Sequence, residues 1–83
     1  MGMVEPKFFQ QVVGARIRYL RTLRRMDQCD LARAAGIDAS KLCKIENGSH
    51  GIDGQVAVAV SDALNVSVDT LLAVPEEPEH ASV

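Results

Sequence analysis

With no tryptophan, one tyrosine and two phenylalanines among 83 residues, the chain cannot build its core on aromatic rings, so Val, Leu, Ile and Ala must supply it. An aliphatic set of that kind suits short packed helices. Only two cysteines occur, Cys29 and Cys43, without a C-x-x-C pair. A disulfide framework is thereby excluded, and free thiols are expected. Long hydrophobic runs are missing as well. No stretch approaches the ~20 apolar residues that cross a bilayer, and the N-terminus lacks the basic-then-apolar pattern of a signal peptide. A soluble, cytoplasmic protein with no membrane partner is the expectation. Nor is there a Gly-rich phosphate loop or a paired set of carboxylates in an obvious pocket, so an enzyme is not expected and no cofactor is implied. A zinc site drawn from Cys29, Cys43, His50 and His80 fits no standard ligand spacing, so no metal is expected.

Lysine and arginine are absent beyond Lys44. All nine basic residues lie between Lys7 and His50 against only Asp27, Asp30, Asp38 and Glu46, a net +5, whereas Asp53, Asp62, Asp69, Glu76, Glu77 and Glu79 follow unopposed. The overall charge of −2 therefore conceals a segregated molecule. One half suits a polyanion and the other faces elsewhere.

So short a chain supports one core, and the pattern divides it into an N-terminal extension at 1–6, a domain at 7–74 and an acidic, proline-interrupted tail at 75–83 that is expected to be disordered. Pro6 can open a first helix with Phe9, Val13, Ile17 and Leu20 on one face. Asp27, with Asp30 three residues on, reads as a capping box for a second helix over 28–35 that Gly36 ends in a left-handed turn. Asp38 is placed to cap a third helix from Ala39 to Asn47, in which Leu42 and Ile45 are the inward pair. Asp53 caps a fourth from Gly54 to Leu64, ended by Asn65, and Ser67 caps a short fifth reaching Leu72. An all-α chain of five helices is predicted, and no alternating pattern competes with it.

The second and third helices are separated only by Gly36-Ile37-Asp38, the length of a helix-turn-helix turn. In such a motif the later helix enters the major groove and the N-terminus of the earlier one offers N–H groups to a phosphate. From Val13 to Leu72 the chain resembles the Cro/phage-repressor, or XRE-type, helix-turn-helix family. The resemblance is carried by Val13-Gly14, Ile17-Arg18, Leu20-Arg21, Gln28, Leu31-Ala32, Gly36-Ile37, Leu42, Ile45-Glu46-Asn47-Gly48, Ala63 to Asp69 and Leu71-Leu72. It implies a compact lambda-repressor-like domain that binds double-stranded DNA. It further implies that Gln28, Lys41 and Asn47 contact phosphates, that Ala39, Ser40, Cys43 and Lys44 face the bases, and that Arg21 and Glu46 form a structural ion pair. Lys44 is the leading specificity residue, since a lysine there can donate to guanine O6 and N7.

The chain departs from the family in having Arg25 where glycine is frequent and Ile52 where proline is frequent, so both connections are expected to be shaped differently. In the loop Ser49-His50-Gly51, His50 is the only candidate for a backbone contact. The fourth helix is more apolar than one packed side requires: beside Ala57, Val60, Ser61 and Leu64 it carries a second stripe, Val56, Ala59 and Ala63. That surplus suggests a homodimer interface, with two recognition helices about one DNA turn apart on a palindromic operator. The rival reading is a protein-binding adaptor or antitoxin built on the same fold, with a second protein as partner.

Overall fold

The proline at position 6 has the fixed φ and missing N–H that a first helical turn tolerates, and the computed structural model, which describes residues 6–74, begins α1 there. The elements are α1 (Pro6–Leu23), α2 (Gln28–Ala35), α3 (Ala39–Glu46), α4 (Gly54–Leu64) and α5 (Val68–Leu72), with no strand among the described residues. The tail at 75–83 lies outside the described residues.

Side chains set most of the helix starts. Asp27 accepts from Asp30 N at 2.8 Å and Asp30 accepts in return from Asp27 N at 3.2 Å, so the box forms with the short Asp in the place usually held by Glu or Gln. Asp53 and Ser67 cap α4 and α5 without the return bond, accepting from Val56 N and Thr70 N at 2.8 and 3.0 Å. Asp38 is a correction. It stands at the cap position of α3, but its exposed carboxylate makes no bond to the helix N–H groups. Water already solvates such a group, so little is lost by leaving that bond unmade.

The ends of α1 to α4 follow one rule, and α5 alone runs out into extended backbone at Ala73. At Arg25, Gly36, Gly48 and Asn65 the chain turns left-handed, with φ of 58°, 73°, 81° and 60°. In each case the next residue's N–H reaches back to the carbonyl five positions earlier, as at Met26 to Arg21 and Ile37 to Ala32, both 3.0–3.1 Å. The connection at Arg25, expected to depart from a glycine-shaped turn, thus keeps that shape with an arginine in it.

Val13, Ile17, Leu31, Ala32, Leu42, Ile45, Val56, Val60, Leu64 and Leu71 form one buried cluster, and Phe9, Leu20, Ile37 and Ile52 pack on its margin. α1 packs on α3, α2 on both α3 and α4, and α5 on α4 and α1. Arg16 ties the last pair together by donating to the carbonyls of Leu71, at 3.0 Å, and Ala73.

This packing corrects the reading of α4. Val56, expected on a free dimer face, is only 6% exposed and belongs to the core. The helix is flanked by α2 as well as by α5, so it needs a wider apolar arc than a single contact demands. Ala59 and Ala63 are half-buried, and the strongly exposed apolar residue of α4 is Val58.

Candidate nucleic-acid interface

Glu46 is the meeting point of the first three helices. Its side chain is fully buried at the end of α3, which an unpaired carboxylate could not tolerate. Arg21 from α1 grips it in two places, Nε to Oε2 at 2.7 Å and Nη2 to Oε1 at 3.0 Å. Gln28, the first residue of α2, donates its amide to Oε1 at 3.0 Å, and Arg18 adds a longer contact at 3.5 Å. Arg21 also donates to the carbonyl of Met26 at 2.8 Å, which fixes the α1–α2 turn. No buried side-chain nitrogen or oxygen lacks a partner among the described residues.

Backbone approach makes the same junction possible. Gly14 is buried where α1 crosses α3; a Cβ there would fall on the carbonyl oxygen of Ile45 and 2.9 Å from that of Glu46. At Gly48 a Cβ would meet Gln11 Cγ at 2.7 Å. Two glycines therefore let α3 and its exit lie directly against α1.

Burial tends to push the Glu46 carboxyl up, yet the bonds from Arg21 and Gln28, with the Arg21 charge, outweigh it and hold the group below the usual carboxylate range. The Arg21 guanidinium is raised, first by its bond to Glu46. A depressed carboxyl stabilises the fold fully above its unfolded value, about 4.3, and this contribution disappears as pH falls through the lower folded value. The midpoint of urea unfolding is therefore expected to drop steeply below about pH 4. Glu46→Gln should be weaker at neutral pH but lose less on acidification, which titration of the unfolding midpoint would check.

On the outer side of α3, Ser40, Lys44 and Asn47 are exposed, while Ala39, Lys41 and Cys43 are half-buried. Leu42, Ile45 and Glu46 point inward. Ala39 packs partly on the core margin, and Cys43 is a free thiol that receives a long contact from Asn47 Nδ2 at 3.8 Å. Asn47 also accepts from Arg18 at 3.2 Å, an arginine that sequence reasoning left without a role. The Gln28 amide is directed at Glu46, so this nitrogen is occupied inside the domain. In the loop, the exposed His50 donates from Nδ1 to the carbonyl of Gly51 at 2.6 Å. The free N–H groups of α2 open beside Asp27 and Asp30, whose carboxylates already occupy that end.

Two short helices joined by a left-handed glycine, the second braced by a buried ion pair and turned outward with its polar side, match the helix-turn-helix domain family over residues 12–74. The chain belongs to that family. It is 37% identical over 67 residues to an uncharacterized HTH-type transcriptional regulator, YazB, of Bacillus subtilis strain 168, a stretch covering 81% of this chain and 96% of the relative. Among solved structures, the restriction-modification controller protein C.AhdI from Aeromonas hydrophila superposes with a TM-score of 0.73 at 27% identity, over 75% of this chain and 94% of the other. The SinR protein/SinI protein complex contains a chain that superposes with a TM-score of 0.70 at 32% identity, over 86% of this chain and 66% of the other. The helix-turn-helix domain is thus of the XRE type, and the protein is a DNA-binding transcriptional regulator. No helix among the described residues is long and apolar enough to cross a membrane.

Proposed function

We propose that this helix-turn-helix protein binds a palindromic operator as a homodimer and reads its sequence with α3 in the major groove. One observation carries the reading: Glu46 locks α3 against α1 and α2 from within, while Ser40 and Lys44 of the same helix, and Asn47 just past its end, remain exposed. In this arrangement Lys44 donates to a guanine, Ser40 and the half-buried Ala39 and Cys43 meet neighbouring base edges, and Lys41 and Asn47 hold phosphates on either side. Gln28 acts on phosphate through its backbone N–H, since its side chain serves Glu46.

Selection of bound duplexes from a random pool tests the proposal. A palindromic consensus with half-sites about 10 base pairs apart is expected, and a non-palindromic one would remove the dimer. Against that consensus, Lys44→Ala should cost about 1–3 kcal/mol and relax preference at one base pair per half-site. Equal loss on every sequence would reassign Lys44 to phosphate. With Val56 in the core, the dimer surface we propose is α4 around Val58, which is 59% exposed, together with Ala59 and Ala63.

A second reading, an adaptor or antitoxin with a protein partner, is favoured by a different face. Phe8, Ala15, Tyr19 and Leu23 are exposed on α1 at spacings that align them on one side, with half-buried Val12 between them. SinR is found in complex with a second protein, which supports a role of this kind. Salt separates the two: DNA binding weakens steeply as counterions are released, and an apolar protein contact does not.

A further inference from the structure

Six arginines lie among the described residues, and five of them are bonded within the domain. Arg16 holds the end of α5, Arg18 and Arg21 hold Glu46, Arg24 donates to the carbonyl of Leu20 at 3.2 Å, and Arg33 lies 3.8 Å from Asp30. Arg25 makes no side-chain hydrogen bond or ion pair among the described residues, and it is exposed. It is also the residue of that set whose backbone is left-handed, with φ 58°. An L-residue with a Cβ is disfavoured there and glycine is not. A long cation with nothing to hold, kept in a conformation that resists it, points to a task outside the chain.

The position supplies the task. Arg25 stands in the turn between α1 and α2, two residues before the cap of the helix whose N-terminus approaches the DNA backbone when a helix-turn-helix docks. Here that N-terminus is crowded by the carboxylates of Asp27 and Asp30, which repel a phosphate. We propose that Arg25 supplies a side-chain phosphate contact at this turn beside the Gln28 N–H, its unpartnered guanidinium offsetting the two carboxylates of the α2 cap. The role rests on the DNA-docking mode proposed above. It concerns anchoring and not sequence choice, so it applies equally to any duplex.

The test uses the full chain and two labelled duplexes of equal length, one carrying the selected consensus and one of random sequence, titrated at several salt concentrations. Arg25→Gly should weaken both duplexes alike, by about threefold to tenfold, and make the slope of log K against log salt shallower by about 0.9. The same variant should melt about 4 °C higher, because the turn is relieved. Arg25→Lys, which keeps charge and backbone, should stay near the parent in all three readings. The proposal is overturned if Arg25→Gly binds both duplexes as tightly as the parent with the same slope. It is equally overturned if Arg25→Lys loses as much as Arg25→Gly, since the charge would then not matter. Should the parent bind both duplexes with equal affinity, sequence reading by α3 fails while Arg25 is still judged on either duplex. A parent that binds neither removes both.

Discussion

Arg21→Ala is expected to unfold most of the population at neutral pH. The substitution leaves the Glu46 carboxylate, whose side chain has no solvent exposure, with only Gln28 and a 3.5 Å contact from Arg18. Stranding one member of a buried pair costs about 3–5 kcal/mol. A domain of this size has about 5 kcal/mol or little more in total, so the loss is comparable with the whole. The check is urea denaturation followed by circular dichroism, and a midpoint within error of the parent would remove the pair from any structural role. The pair double variant Arg21→Met with Glu46→Leu should recover much of the loss, because a well-packed apolar couple of similar volume avoids desolvating either charge. Failure of the double variant to recover would locate the weakness in the bonds an apolar couple cannot replace, Arg21 to the Met26 carbonyl and Gln28 to Glu46.

Gly14→Ala should be comparably severe for a reason that involves no charge. The added methyl would overlap a backbone carbonyl and not the flexible end of a side chain, so α1 and α3 must separate for it to fit. Overpacking of this sort costs about 3 kcal/mol or more where backbone is the obstacle. Separation would also lengthen the Arg21–Glu46 bonds, so the Gly14→Ala and Arg21→Ala losses should fall short of additive. Thermal melting of the two single variants and their combination measures this. Strict additivity would mean that the helix crossing and the ion pair are independent.

Local chemistry makes the five helices legible in the chain itself. Asp27, Asp53 and Ser67 cap where they stand in the chain, and Gly36, Gly48 and Asn65 end helices by a backbone conformation that those residue types favour. What escaped were properties of how helices cross. Val56 reads as surplus until α2 is known to lie over α4, and Gly14 reads as one more small residue until α3 lies against it. Arg16, Arg18 and the Gln28 amide reach partners 55, 28 and 18 residues away, distances at which no periodicity gives a signal. The Arg21 and Glu46 pairing was legible only through family resemblance, for the same reason. At Arg25 a residue ill-suited to the turn concealed a turn that the fold retains.

On α3 the fully buried side chains and the fully outward ones are different residues. Leu42, Ile45 and Glu46 are buried and fasten the helix, whereas Ser40 and Lys44 are in solvent and bond to nothing across the domain. Exchange of the outward letters consequently leaves the fastening intact, so a lineage carrying this scaffold can drift to new binding sites through single substitutions without passing through misfolded intermediates.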